Sequence, residues 1–305
     1  MGRYILRRIL VSIPVVIGVS FLAFLVLHLT PGDPAVLLAG PDATPEIVMQ
    51  VREKFGLNRP LYTQYFFFLK GLLNGSLTSM KYEVPVLSLI GKRLKNTAQL
   101  AGCAFCIAIA LGMGAGILSA LYRYTFIDYI ATFFALIGIS MPAFWLAILF
   151  ILCFSVILGW LPSNGMGSWR HLIMPSFVLG MGSAGIIARM TRSSMMAVLG
   201  QDYVTTAHSK GLPERIVICR HALRNAMIPT VTVVGLQIGS LMTGAVLTES
   251  VFAWPGLGRL LVEAILGRDY PVVQATLLII ALIFVIANLF VDLLYALLDP
   301  RIRYD

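Results

Sequence analysis

The sequence predicts an all-α membrane protein with six transmembrane helices and a long extracytoplasmic segment after the first of them. Three observations lead there. Of the 305 residues, 58% are apolar and only 12% are charged, too little charge for a soluble domain of this size. The mean hydropathy is +0.87, and the apolar residues gather into runs of about 20 or more, the length that crosses a bilayer as a helix. The formal net charge of +9 lies in the segments beside those runs, as the positive-inside rule requires. It is not arranged as basic runs interleaved with aromatics, the pattern that grips single-stranded nucleic acid, so no nucleic-acid partner is expected.

Residues 1–8 are basic and lead into an apolar run over 9–29. That run exceeds a typical signal h-region, and no small-residue cleavage site follows it, so it reads as a retained first span. Pro14 falls near its start, where a helix tolerates proline, and His28 near its outer end. The mixed segment 30–95 is expected outside. Within it Thr44, Pro45 and Glu46 form a helix start and Gly56 a stop. A second short helix over 60–73 carries Tyr62, Tyr65, Phe66, Phe67 and Phe68, a density that fits a membrane interface or packing on other spans equally well.

Span two is expected over 97–121, where Gly112, Gly114 and Gly116 make a close-packing face. Arg123 marks an inside turn. Span three, 129–158, is longer than a crossing needs, so tilt or a break is expected, and Pro142 supplies a cause for a kink. Residues 159–170 form a short outer loop with Trp160 and Trp169 at its edges. Span four covers 171–190 and span five 227–247, the latter with Gly235, Gly239 and Gly244 on one face. Residues 249–273 lie outside, where Trp254-Pro255-Gly256 and Asp269-Tyr270-Pro271 break any continuous helix. Span six covers 274–298 and ends at Asp299-Pro300-Arg301. The chain thus divides into residues 1–95, a first helix with its extracytoplasmic segment, and residues 96–305, a five-helix core with the polar loop 202–229.

Charge tests this topology. The expected inside segments hold Arg3, Arg7, Arg8, Arg123, Arg189, Arg192, Lys210, Arg215, Arg220, Arg224, Arg301 and Arg303, against Arg170, Arg259 and Arg268 in the two short outer loops. Both termini are therefore expected inside. Lys92, Arg93 and Lys95 conflict, since three cations stand outside just before span two.

The loop 202–229 is the one long polar interruption in the C-terminal half. Gly211-Leu212-Pro213 breaks it into two short helical pieces, and Pro213 suits a first helical position. In the second piece Leu212, Ile216, Cys219, Leu223 and Met227 fall on one stripe at helical spacing, with the arginines mostly off it. Spacing alone fits two readings. The piece lies on the lipid surface, drawn by anionic headgroups, or it is a docking element gripped by another protein.

Here the residues resemble a family. Thr206-Ala207, Gly211 and the run His221-Ala222-Leu223-Arg224-Asn225-Ala226 are similar to the cytoplasmic coupling loop of ABC importer permeases, and more narrowly to those of dipeptide, oligopeptide and nickel importers. Pro31-Gly32-Asp33-Pro34, Ser140-Met141-Pro142, residues 248–258 and Arg268-Asp269-Tyr270-Pro271 agree in order and spacing, so the resemblance covers essentially the whole chain. Thr205 stands where the general loop pattern has glutamate, and Thr205 and His208 stand where this branch often carries arginine.

The resemblance implies a type I ABC importer permease fold in a bacterial inner membrane. It also implies a second, homologous permease subunit, two ATPase subunits that bind ATP and Mg, and an extracytoplasmic substrate-binding protein. On that reading Ala207, Lys210, Gly211, Leu212, Ile216, Arg220, Leu223 and Arg224 couple the chain to an ATPase. Asp33, Glu249, Trp254 and Asp269 belong to an outer gate or a binding-protein platform. The expected cargo is a di- or oligopeptide, with a nickel or metal chelate, or a glutathione-like peptide, as the alternative.

The chain itself carries no motif for hydrolysis or covalent chemistry. Before the only Gly-Lys pair, Gly91-Lys92, Val86 stands where a phosphate-binding loop needs its first glycine, and Arg93 follows where it needs Ser or Thr. No catalytic residue, cofactor or metal ligand is therefore expected. Cys103 and Cys106 sit within an apolar stretch and read as small buried residues. Asp292 in span six is the one acidic residue near a possible ion path, and reads as an anchor near the inner end. Gln237, Ser240, Thr243 and Asn288 are neutral polar candidates either for helix-to-helix hydrogen bonds or for lining a pathway. An ion-coupled secondary transporter remains the other class, and it needs a buried ionisable site.

Overall fold

The computed structural model describes residues 2–29, 33–40 and 42–298. Pro31 and Gly32 and the terminal Asp299-Pro300-Arg301 lie outside the described residues, as do the side chains of Arg3, Arg7 and Asp292. The described residues are helical apart from turns and one isolated bridge between Thr78 and Pro85.

In chain order the helices are α1 (Gly2–Leu29), α2 (Pro34–Ala39), α3 (Pro45–Lys54), α4 (Leu61–Leu73), α5 (Val86–Leu121), α6 (Phe126–Ser140) and α7 (Ala143–Ile157). After an irregular stretch come α8 (Arg170–Leu199), α9 (Asp202–Ser209), α10 (Glu214–Val251), α11 (Leu257–Leu266) and α12 (Tyr270–Leu298). By length and composition α5, α8, α10 and α12 can each cross a bilayer, and α6 with α7 makes a fifth candidate if the bent pair is one span. Within α1 the apolar stretch Leu10–Leu25 is shorter than the others.

Several expectations shift. Because α1 begins at Gly2, Pro14 is inside the helix rather than near its start. Between α6 and α7 the chain turns by 114°, a break and not a kink. Pro142 forces the preceding Met141 out of the helical region, to φ −83° and ψ 132°, and then starts the next helix itself. α5 begins well before residue 97, so Lys92, Arg93 and Lys95 lie on its first turns. Arg93 reaches Glu263 on α11 at 3.9 Å, and Glu263 also takes Arg259 at 2.7 Å.

The chain divides into two compact units. One comprises Gly2–Thr97 with Pro255–Val285, the other Ala98–Trp254 with the end of α12. In the first, α11 buries Leu257, Leu260, Leu261 and Ala264, the spacing of one helical face. They pack with Phe68, Val86, Ile90, Val272 and Leu278. The aromatics of α4 split between two roles: Phe68 is buried while Tyr62, Phe66 and Phe67 are exposed. Tyr65 Oη lies 2.7 Å from Ser20 Oγ on α1. His28 packs on Phe24 and Tyr270 and reaches Gln64 at 3.1 Å.

The second unit is built around α8, whose contacts with neighbours are made by missing side chains. A Cβ on Gly112 of α5 would stand 2.7 Å from the Ala184 carbonyl, and one on Gly116 2.6 Å from that of Ala188. On the other side, a Cβ on Gly185 of α8 would stand 2.3 Å from the Ala135 carbonyl of α6. Close approach of this kind is how helices associate where lipid supplies no hydrophobic drive. On α10, Gly235 meets Val291 of α12 and Gly244 meets Leu179.

Candidate functional site

The 202–229 loop has the two-piece form its sequence predicts, with one difference of consequence. The second piece is not a separate short helix. It is the start of α10, which runs without interruption from Glu214 to Val251. α9 stops at the Lys210-Gly211 turn, where Gly211 takes φ +72° and its N–H donates to the His208 carbonyl at 2.9 Å. A residue with a Cβ is disfavoured at that φ, and glycine is not. Pro213 then caps α10. His208 Nε2 lies 2.9 Å from Glu214 Oε2, closing the turn. Asn225 Nδ2 donates to Tyr203 Oη at 2.9 Å, a second tie between α9 and α10.

The buried face of this element is not the expected stripe. Val217, Ala222 and Ala226 are buried, whereas Ile216 and Cys219 are exposed and Leu212, Leu223 and Met227 are half-buried. The cause is local geometry. Residues Val217–Ala222 take wide turns with i→i+5 bonding. The buried positions therefore step by five from Val217 to Ala222, and a stripe drawn at 3.6 residues per turn slides off the face. Val204, Ala207 and Val217 form one small core with Leu212, Val198 and Leu199. Ala222 and Ala226 form another with Ala120 of α5 and Met195 of α8.

Ala207 is thus spent on packing the loop's own helices, and its small side chain is what lets α9 lie on α10. The outward surface includes Tyr203, Thr205, Thr206, Lys210, Gly211, Arg215, Ile216, Arg220 and Arg224. None of Lys210, Arg215, Arg220 and Arg224 forms an ion pair with a described residue. The exposed residues of the loop carry these four cations against the acidic Asp202 and Glu214, and Tyr203, Ile216 and Ile228 are its exposed large apolar side chains.

The candidate pathway residues separate. Gln237 is buried, Asn288 half-buried, and Ser240 and Thr243 exposed on α10 with Leu236 and Leu247. The Thr243 hydroxyl is taken by its own helix, 3.0 Å from the Ser240 carbonyl. Of the outer candidates only Asp33 is partly exposed. It caps α2 through the Ala35 N–H at 2.9 Å and pairs with Arg52. Glu249, Trp254 and Asp269 are buried within the chain. Trp254 and Asp269 each follow a non-glycine residue at positive φ, Ala253 and Arg268. Each donates its N–H to the carbonyl five residues back, Glu249 at 2.8 Å and Ala264 at 2.9 Å. These are helix C-terminal caps of the Schellman kind, with a non-glycine residue at the positive-φ position.

One constellation escaped the sequence reading. Asp128, buried in the first turn of α6, takes a two-pronged ion pair from Arg192 of α8, with Nε at 2.9 Å and Nη2 at 2.8 Å. Ser119 of α5 donates to the same carboxylate, and the Tyr124 N–H does so at 3.0 Å. The available signal was a lone acidic residue at the head of an apolar helix. No cluster of three or more His, Cys, Asp or Glu side chains able to hold a metal occurs among the described residues.

Against known proteins, the model of the family described as binding-protein-dependent transport system inner membrane component matches residues 112–304. The chain belongs to that family. The N-terminal model of the same kind of membrane component matches residues 1–102. The permease is 44% identical to the dipeptide transport system permease protein DppB of Alkalihalophilus pseudofirmus, over the whole of both chains. It is 46% identical, again over the whole of both, to the glutathione transport system permease protein GsiC of Escherichia coli. Among solved structures it resembles the inward-facing MetNI methionine ABC transporter at a TM-score of 0.60 and 18% identity, covering 70% of this chain and 98% of that one. An amino acid ABC transporter crystallised with histidines matches at a TM-score of 0.53 and 17% identity, covering 70% and 94%. These two likenesses establish the fold as that of ABC importer permeases. The chain is therefore a multi-pass inner-membrane transport subunit of an ABC importer, and not an enzyme.

Proposed function

We propose that this permease forms half of the translocation path for di- and oligopeptides, glutathione-like peptides included. It works with a second permease of its own kind, two ATPase subunits that bind ATP and Mg, and an extracytoplasmic binding protein that delivers the cargo. The peptide class rests on full-length identity to permeases named for dipeptide and glutathione transport. Those names favour a peptide over a nickel chelate. In this reading α1 is the sixth span, both termini and the 202–229 loop face the cytoplasm, and residues 30–95 face outward.

The observation that carries the mechanism is the unbroken run of α10 from the loop into the bilayer. α9 and the first turns of α10 share one small core, so they move together. A partner that grips Tyr203, Ile216 and the Gly211 turn, and whose carboxylates meet Arg220 and Arg224, moves the end of a membrane span directly. ATP-driven closure of the ATPases then biases the chain between outward and inward access, which is coupling through a two-state element. Ser240 and Thr243 on the exposed face of α10, with the buried Gln237 of the same helix and the half-buried Asn288 of α12, are the candidates that line the path.

The test is Gly211→Asp in the assembled complex. Uptake and its ATP dependence should be abolished while the chain still inserts in the membrane. Normal uptake by that variant contradicts the docking role.

A further inference from the structure

We propose that the Asp128–Arg192 pair is the strut that carries movement of the loop into the α6–α7 arm. Both residues then act as positioning residues for coupling ATP hydrolysis to transport. The inference rests on the importer reading above and adds to it a part that neither the loop nor the family resemblance supplied.

The geometry is that of a pinned joint. Asp128 is 3% exposed, and Arg192 meets both of its oxygens in a fork that fixes direction as well as distance. Ser119 is held in the same knot, donating to Asp128 and accepting from Arg192 Nε at 2.8 Å. The carboxylate thus ties together the end of α5, the turn at Tyr124, the start of α6 and the body of α8.

Arg192 lies about two turns before α8 ends at Leu199. On those same last turns Met195 packs against Ala222 and Ala226 of α10. The end of α8 is therefore gripped twice, from the loop side by small apolar contacts and from α6 by the ion pair.

Around the pair the helices touch through small, uncharged contacts. Gly116 lies against Ala188 and Thr191, and Gly185 lies against Ala135 and Ile139. None of these contacts is a directional charged tie. The fork is that tie, because separating it takes away Arg192, the only cation paired with this buried carboxylate among the described residues, and leaves it to neutral donors such as the Ser119 hydroxyl and the Tyr124 N–H. When the loop shifts the end of α8, α6 must follow, and with it α7 beyond the 114° break.

The experiment reconstitutes the complete complex, with its binding protein, in liposomes. It measures ATP hydrolysis together with uptake of labelled glycyl-leucine and labelled glutathione. In Asp128→Asn, hydrolysis should persist while uptake per ATP, or binding-protein stimulation of hydrolysis where neither probe is carried, falls by about tenfold. Arg192→Lys keeps the charge but not the fork, and should fall part of the way. Unchanged coupling in an assembled Asp128→Asn complex overturns the proposal.

If Asp128→Asn does not assemble, the paired change Asp128→Leu with Arg192→Leu removes both charges and fills the space. It should assemble uncoupled. Normal coupling in it, or failure of both variants to assemble, assigns the pair to folding alone and overturns the strut. Failure of the importer reading looks different: the wild-type complex then moves neither probe and its hydrolysis ignores the binding protein.

Discussion

Asp269 is one side chain that holds two distant stretches of sequence in register. Its carboxylate accepts from the Ser79 hydroxyl and from the Met80 and Lys81 N–H groups at 3.1 and 3.2 Å, all within one unit. Replacing it with alanine leaves three donors without an acceptor in a buried place, at a cost of about 3 kcal/mol. Asp269→Ala should lower the thermal stability of the purified permease and open the segment around Lys81 to limited proteolysis. An unchanged cleavage pattern contradicts the anchoring role. Gly211 works differently. No heavy atom lies within 4 Å of a Cβ placed there, and only its φ of +72° opposes a side chain. Asp is among the residues that tolerate that region best. Gly211→Asp therefore costs little in folding, and a loss of uptake reports the new charge at the contact. Gly211→Ala, with no charge, should keep most of the uptake.

Among elements, the α5–α8–α6 layer carries the tightest prediction. Gly185→Val drives atoms toward the Ala135 carbonyl and the Ile139 side chain, and overpacking of this kind costs about 1–3 kcal/mol or more. The variant should reach the membrane in reduced amount and unfold at lower temperature, whereas Gly114→Val, whose Cβ meets nothing within 4 Å, should match the wild type. The sequence marked Gly112, Gly114 and Gly116 as one face. Only Gly112 and Gly116, four residues apart, share that face; Gly114 lies on the opposite side, as the helical period requires. A limit of the period itself appears at α10. A stripe at 3.6 residues per turn presupposes regular α-helix, and the wide turns over Val217–Ala222 break that premise without any mark in composition. Caps were more legible. Thr44, Pro45 and Gly56 bound α3 as expected, because proline and glycine act through their own backbone preferences. At Pro142 the residue type announced a disturbance, but its size, 114°, depends on what each half packs against.

At the scale of the whole molecule, hydropathy and charge were enough for the class, and the order of short motifs was enough for the family. Both are sums over many residues and forgive local error. The candidate site was legible as a stretch but not as a surface. Which side of the loop faces outward depends on tertiary packing, which puts Ala207 inside and leaves Tyr203 and Ile216 outside. Glu249 and Trp254, which the family resemblance assigns to an outer gate or a binding-protein platform, are buried within the chain, and that burial comes from tertiary packing that their motif does not display. Purification of the chain from membranes should bring down two ATPase subunits and a second permease, and dilution into high salt should weaken that capture if Arg220 and Arg224 contribute. Recovery of the chain alone contradicts the assembly.

The measurement that tests the central claim most directly is ATP-driven uptake by proteoliposomes containing the full complex, wild type against Gly211→Asp, with both chains shown to be inserted and assembled to the same level. The account predicts peptide uptake that requires ATP and the binding protein in the wild type and is absent in the variant. Uptake that persists in the variant, or that the chain performs alone under an ion gradient, would contradict it.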